Sequence, residues 1–304
     1  AVQITNSSLI LNTIVKQWET VGLELWERKY AIVFPQYAQG VFTLGNPGPS
    51  GDHACLTTPL GIGNFVQTTL SSAAVSSATS VVLTTITSNS SAGIPAVTVA
   101  TAWNIGIQLD TGYIQWTTVN GAPSGTTCTL SAALTSAASA GNIVYAYQTK
   151  MMRPLRILDA FVRQVSGSDV AVNIIPRDNY NRFGLKTSMG TPTQLYYDPQ
   201  ENNGQIYLYP QFSQVNMQLY IEFQKPIEDF TSSTDDFDMP QEWALALIYN
   251  LALYLAPSYS VSSEKFKQIQ YLADTAFKSL DGWDQEAASV FLQPSNAVYL
   301  GNGK

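Results

Sequence analysis

Charged side chains are scarce in this chain. Only 12% of its 304 residues are Asp, Glu, Lys or Arg, about half of the share that is usual in globular proteins. The net charge of −7 disfavours a general nucleic-acid-binding role, because such proteins concentrate Lys and Arg. Few charges combined with 16 Tyr and 12 Phe are typical of a surface largely covered by partners, or of β-structure rich in uncharged polar residues.

Histidine and cysteine are nearly absent. His53 is the only histidine, so a metal site built on several histidines is excluded, and a Ser-His-Asp triad would have to use this residue. Cys55 and Cys128 are too few and too far apart for a disulfide framework or a zinc site. Gly-x-Ser-x-Gly, phosphate-binding and dinucleotide-binding glycine motifs are also missing. We therefore expect no catalytic residues, no metal, no cofactor and no enzyme activity.

One segment is apolar nearly all the way round. It runs from Pro240 to Pro257; Gln241 and Glu242 stand at its start, and Asn250 is the one strongly polar residue after them. Pro240 suits the first turn of a helix and Pro257 marks its end. Such a helix must be enclosed by its own domain, by neighbouring subunits or by lipid. Lipid is disfavoured because a spanning helix needs roughly 20 apolar residues, so we expect no membrane contact.

Composition divides the chain into zones. Residues 57–149 carry one charged side chain, Asp110, and are rich in Ser, Thr, Ala, Gly and Val. Short β-prone runs, and a turn signal at 109–113, predict an inserted all-β domain there. We expect the flanking segments, 1–56 and 150–289, to form one core, and residues 290–304 to form an extended arm.

The flanking segments predict helices and a few strands. A helix capped by Ser7 or Ser8 has apolar residues spaced by three and four positions, which are Leu11, Ile14, Val15, Trp18 and Val21. Strands are expected at 153–163 and 170–175, a short helix at 176–183 and a meander of strands from 195 to 223. An amphipathic helix spans about 262–280. Strict alternation from Val215 to Phe223 is typical of a half-buried strand. The predicted fold class is therefore α+β, with a helical core from the N- and C-terminal segments, a small antiparallel sheet, and the inserted all-β domain.

Charge is unevenly distributed after residue 150. Basic residues, among them Arg153 and Arg156, dominate 150–186, and acidic residues dominate 222–242. These segments could meet across a boundary between copies in a head-to-tail assembly, or they could be solvated surface with pairs inside the chain. The acids Asp235, Asp236 and Asp238 lack a calcium-loop pattern and would favour the dipole of the helix that follows.

Several motifs occur in an order that resembles one family. They are Leu11-Asn12 with Trp18, Gly22-Leu23-Glu24-Leu25-Trp26, Phe42-Thr43-Leu44-Gly45, Arg153-Pro154-Leu155-Arg156-Ile157, Tyr180 with Lys186, Gly190 and Pro192, Gly204-Gln205-Ile206-Tyr207-Leu208-Tyr209-Pro210, Met239-Pro240, Tyr249-Asn250-Leu251-Ala252 and Leu255-Ala256-Pro257-Ser258-Tyr259. In this order the chain resembles the head-to-tail adaptors of short-tailed bacteriophages, also described as tail accessory factors or tail tubular protein A. The motifs cover most of the chain outside the insertion.

The resemblance implies a structural virion protein. Its copies would form a dodecameric ring at the head-tail junction, between the portal protein and the tail nozzle protein, and double-stranded DNA would pass through the lumen without specific binding. Tail fibre or spike proteins are further partners, and the insertion could contact them. The implied ring needs large apolar contacts, so we expect Trp243 and Leu247 of the apolar helix, with Arg153, Arg156, Asp235, Asp236 and Asp238, at the subunit interface.

The C-terminal arm carries the predicted portal contact. Its apolar residues are spaced along a segment that Pro294 and two glycines keep from being helical; they are Phe291, Leu292, Val298, Tyr299 and Leu300. Extended segments with spaced apolar residues commonly bind a groove or sheet edge of another protein. A frayed terminus is the alternative.

Two other functions remain open. The first is a virion protein that binds or degrades glycans, with Trp103, Tyr113 and Trp116 of the insertion as a stacking platform. The second is a self-assembling shell or pilus-like protein. The absence of a basic-then-apolar leader and the two isolated cysteines lead us to expect synthesis in a reducing cytoplasm, that of the bacterial host, before incorporation into the virion.

Overall fold

The computed structural model describes residues 2–21, 27–45, 52–58, 61–90, 93–227, 229–230 and 239–281. The α-helices in these ranges are α1 (Val2–Val21), α2 (Arg177–Asn181), α3 (Ala244–Leu255) and α4 (Ser263–Asp281). The strands up to residue 149 are β1 (Arg28–Val33), β2 (Val41–Leu44), β3 (Ala54–Thr57), β4 (Phe65–Thr69), β5 (Ser80–Val82), β6 (Asn104–Gln108), β7 (Ile114–Thr118), β8 (Thr127–Thr129) and β9 (Ile143–Tyr147). Those after residue 149 are β10 (Arg156–Arg163), β11 (Asp169–Ala171), β12 (Asn173–Ile174), β13 (Met189–Gly190), β14 (Gln194–Pro199), β15 (Gly204–Tyr209), β16 (Gln211–Phe212) and β17 (Gln218–Gln224).

Sheets, rather than helices, dominate the described chain. The strands form five sheets, with the orders β11-β10-β17-β1-β3, β12-β14-β15-β2, β4-β9-β6-β7, β13-β16 and β5-β8. The predicted fold class, a helical core with a small sheet and an inserted β-domain, is therefore wrong. Strands that precede the insertion form pairs with strands that follow it, as β1 does with β17. The segments on the two sides of the insertion therefore build two large sheets together.

Contacts divide the chain into two compact units. One comprises residues 1–26 and 227–304, here called the helical unit, and the other comprises residues 27–226, here called the sheet unit. The boundaries predicted at 56, 149 and 289 remain predictions.

Three sheets of the sheet unit are stacked in layers. The sheet β12-β14-β15-β2 packs on one face of β11-β10-β17-β1-β3 through a core that includes Phe42, Leu208 and Ile221. The opposite face of the five-stranded sheet packs on the insertion sheet β4-β9-β6-β7 through a second core that includes Ile32 and Tyr145. A third core lies on the far side of the insertion sheet and consists of insertion residues alone.

The second of these cores joins the insertion to the rest of its unit. Phe34 lies at its centre, with ring centroids 5.0 Å from Tyr145, 5.3 Å from Tyr147, 5.4 Å from Trp116 and 5.9 Å from Phe65. Aromatic pairs at such separations contribute beyond the area that they bury. The insertion therefore has one core of its own and one that it shares.

The shared core changes the expected burial of β17. The alternation from Val215 to Phe223 predicted a half-buried strand, but Leu219, Tyr220 and Ile221 are each at most 1% exposed. Leu219, Ile221 and Phe223 face the first core, whereas Val215 and Tyr220 belong to the second. The prediction is wrong because the insertion covers the face that a two-layer arrangement would have left in water.

The helical unit packs α1, α3 and α4 around an aromatic centre. Trp18 of α1 lies 5.6 Å from Trp243, which directly precedes α3, and 5.4 Å from Phe277 of α4. Ile14 and Val15 are buried beside them, as the helical spacing in this segment predicts. No helix in the described ranges is long and apolar enough to cross a membrane.

Candidate interaction surfaces

Helix α3 is apolar on a face that the described residues of its own unit leave uncovered. Ala246 and Leu247 are buried, but Leu245 is 56% and Ile248 61% exposed. The two exposed residues are three positions apart and so share one side of the helix. Exposed apolar residues that cluster, rather than occur singly, mark protein contact surfaces.

Exposed apolar side chains also occur beyond α3. Tyr259 follows that helix at 57% exposed, and Tyr271 of α4 is 70% exposed. Leu272, next to it, is 41% exposed. Three segments of the helical unit thus carry large apolar side chains that the described part of the chain does not bury.

Trp243 and Leu247 lie in a different place from the one predicted. Both were expected at a subunit interface, but they are 4% and 2% exposed and pack in the core of the helical unit. Tyr254, seven residues after Leu247 and on the same side of the helix, is 45% exposed, and its hydroxyl donates to Gln17 Oε1 at 2.8 Å. An interface at this helix would therefore use the opposite side, at Leu245 and Ile248.

The basic segment is partly engaged within the sheet unit. Arg153 donates from a guanidinium nitrogen to the Gln200 carbonyl at 3.3 Å, and Arg156 Nε donates to Gln224 Oε1 at 2.8 Å. Arg163 is paired with Asp169. The interface role of Arg153 and Arg156 stays a prediction, as does that of Asp235, Asp236 and Asp238, which lie outside the described residues.

His53 is a packed residue. Its ring stacks on Trp116 with centroids 3.9 Å apart and planes 3° from parallel, and its Nδ1 lies 2.7 Å from the Tyr147 hydroxyl. Trp116 in turn lies over Gly106, where an added Cβ would be 2.7 Å from ring carbon Cε2. Burial, assisted by the positive charge of Lys150, lowers the pKa of His53 to about 3. These contacts support a structural role for this histidine.

The three aromatic residues proposed as a sugar platform do not form one surface. Trp103 is 7% exposed in the core that belongs to the insertion alone. One face of Trp116 is taken by His53. Tyr113 is 48% exposed and makes an edge contact with Tyr37 at 5.8 Å.

Two further predictions concern a metal site and the portal contact. Within the described ranges, no group of three or more His, Cys, Asp or Glu side chains could hold a metal ion. The portal-contact residues Phe291, Leu292, Val298, Tyr299 and Leu300 fall beyond residue 281, so they lie outside the described structure.

Sequence reasoning missed the exposed face of α3. The signal was present, because a helix that is apolar on every side cannot be fully covered by two neighbouring helices. The sequence could not show which side of the helix would stay exposed, since all sides carry similar residues.

Comparison with known proteins adds no family: no family model matches the chain, and no curated protein matches it.

Proposed function

We propose that this chain is a structural virion protein that forms a head-to-tail adaptor ring, joins the portal to the tail of a short-tailed bacteriophage and extends the DNA channel. The observation that carries the proposal is the uncovered apolar face of α3, at Leu245 and Ile248. The occupant that we assign to this face is a second copy of the same chain.

The order of the sequence motifs supports this assignment. The motif that begins at Met239-Pro240 coincides with the start of the α3 region, and Gly204–Tyr209 forms β15 in the layered sheets. The motifs with the clearest family resemblance thus include the helix that carries the uncovered face. A ring requires each copy to offer such a surface to its neighbour.

The charge composition is also compatible with a channel. Phosphate contacts from Lys and Arg are what make DNA binding tight, and the chain carries a net charge of −7. An acidic protein therefore suits a conduit through which DNA must slide without being held.

Native mass spectrometry and negative-stain imaging, with and without the portal protein, test the proposal. The wild-type chain should form closed rings, and the double variant Leu245→Lys, Ile248→Lys should remain monomeric with an unchanged thermal melt. Val75→Lys is the matched control, because Val75 is 73% exposed in the insertion and should not affect assembly.

Three results would contradict the proposal. They are a wild-type chain that stays monomeric even with the portal, rings of the double variant that are as stable as those of the wild type, and open filaments in place of rings. The last result would favour the pilus-like alternative.

A further inference from the structure

A cleft of about 700 Å³ opens in the sheet unit between the insertion and the five-stranded sheet. One wall is formed by β4, the start of β9 and residues 84–89. The other is formed by the hairpin between β10 and β11 and by the start of β17. Ligand-binding clefts in proteins have volumes of this order, roughly 300–1,000 Å³.

Among the described residues that line the cleft, none carries an uncompensated charge. Arg163 is the one charged residue of this described lining, and it donates from Nε and from a terminal nitrogen to the two carboxylate oxygens of Asp169, each at 2.8 Å. The guanidinium also lies 4.6 Å from the ring centroid of Tyr220. The charge of Arg163 is therefore already neutralised by Asp169, and the described lining offers a charged ligand no other opposite charge.

Side-chain amides dominate the polar lining. Six glutamines and asparagines face the cleft, and each amide offers both donors and an acceptor. They are Gln67, Asn89, Gln108, Gln164, Asn216 and Gln218.

A buried hydrogen-bond chain fixes part of this lining. Gln218, 5% exposed, accepts from the Tyr220 hydroxyl at 2.8 Å and donates from Nε2 to Gln67 Oε1 at 2.5 Å. The acceptor of Gln67 is thus occupied. Its amide nitrogen has no hydrogen-bond partner among the described residues, nor does the side-chain amide of Gln164. The cleft therefore holds a preorganised donor beside a second amide that can both donate and accept.

Small apolar surfaces lie beside the amides. Val165, at the tip of the β10–β11 hairpin, is 63% exposed, and Ile143 forms part of the floor. The hydroxyls of Thr69 and Thr84 are hydrogen-bonded to each other at 3.0 Å on one wall. Their methyl groups and remaining oxygen lone pairs are left at the surface. The lining thus alternates hydrogen-bonding groups with apolar patches.

We propose that this cleft binds an uncharged oligosaccharide. Sugar hydroxyls donate and accept at once, as side-chain amides do, and sugar rings also have C–H faces that pack on aliphatic groups. A purely apolar ligand would leave the amides without partners, at a cost, and an anionic ligand would lack a free cation. The inference is independent of the adaptor proposal, because it concerns the sheet unit and holds for a monomer or a ring.

Titration calorimetry of the full chain with neutral tetrasaccharides tests the inference. The probes are maltotetraose, cellotetraose, mannotetraose and chitotetraose, with a sialylated oligosaccharide and a heparin tetrasaccharide as charged counterparts, and an extended Gln/Thr-rich peptide as the protein alternative. We expect saturable binding of at least one neutral probe and weaker binding of both charged probes.

Two variants locate the site. Gln67→Ala and Gln164→Ala should each weaken binding of the neutral probe at least tenfold. Gln164→Ala keeps the test valid if loss of the Gln67 contact to Gln218 disturbs folding, because no described residue hydrogen-bonds the Gln164 side chain. Asn120→Ala, at an exposed turn of the insertion away from the cleft lining, is the matched control and should bind like the wild type.

The inference is overturned if none of the neutral probes binds, or if binding survives both cleft variants. It is also overturned if the peptide or a charged probe binds more tightly than every sugar and is lost in the same two variants. Retained binding in Asn120→Ala together with loss in Gln164→Ala is the pattern that upholds it.

Discussion

The surroundings of His53 keep it in the neutral form. Its ring is stacked on Trp116 and bonded to the Tyr147 hydroxyl, and Lys150 adds an unfavourable positive charge. An imidazolium in this position would lose hydration without gaining an anion, which is why burial lowers the pKa of His53 to about 3. A residue that the sequence offered as the sole possible catalytic histidine is thus used for packing.

The first prediction concerns acid sensitivity. An unfolded histidine takes up a proton near pH 6.5, whereas folded His53 does so only near pH 3. Between these values the unfolded state binds more protons, so the free energy of unfolding should fall as the pH decreases. The slope should approach about 1.4 kcal/mol per pH unit below pH 6.5. Urea unfolding at pH 7.5, 6.0 and 5.0 measures it.

The comparison variant for this experiment is His53→Gln. Because the chain has no other histidine, and carboxylates titrate mainly below pH 5, the slope between pH 6.5 and 5 should nearly vanish in the variant. An equal slope in both proteins would mean that another group controls acid sensitivity.

At the scale of elements, α3 has a buried side and an exposed side. Leu247 packs with Trp18 and Trp243 in the core of the helical unit, and Leu245, two residues earlier, is 56% exposed. The side chains are chemically identical. Their positions on one helix therefore separate a side chain that packs in the core from one that is exposed.

The second prediction compares these two leucines. Leu247→Ala should reduce the free energy of unfolding by about 2–5 kcal/mol, since it removes buried methyl groups and leaves a cavity. Leu245→Ala should change it by less than about 0.5 kcal/mol and should weaken ring formation instead. Chemical denaturation of the monomer and native mass spectrometry provide the two readings. Equal stability losses would show that the exposed side is in fact covered in the folded chain.

At the scale of the whole molecule, the insertion acts as a layer of the sheet unit. On the face of the five-stranded sheet that the insertion covers, Ile32, Cys55 and Tyr220 lie in one row, since Ile32 is opposite Cys55 on β3 and Tyr220 on β17. All three are at most 1% exposed. The apolar row requires a cover, and residues of the insertion supply it.

The third prediction follows from that row. A short Gly/Ser linker in place of residues 57–149 should give a protein that binds a hydrophobic dye and melts at a lower temperature, because the row is exposed to water. Adding Ile32→Thr, Cys55→Thr and Tyr220→Thr should abolish the dye binding, since threonine suits a solvated strand face. A deletion protein that melts like the wild type without binding dye would show that the insertion folds and functions separately.

Sequence patterns determined the local elements well. The spacing of Ile14, Val15 and Trp18 predicted an amphipathic α1, and the prolines at 240 and 257 bracketed α3. The turn signal at 109–113 predicted the hairpin between β6 and β7, where Gly112 adopts φ 89°. These features depend on helix period, proline geometry and turn chemistry, which act over a few residues.

Only the tertiary structure decided which strands pair, which faces are covered and which groups meet. Strand pairing across residues 57–149 turned an expected small sheet into a stack of three, because hydrogen bonds between distant strands leave no local pattern. The cleft also depends on contacts between distant parts of the chain, since Gln67 and Gln218 are 151 positions apart and yet their side chains share a hydrogen bond. In α3 the sequence determined that the helix is apolar all round, and packing against α1 and α4 determined that Leu247 would be buried and Leu245 exposed.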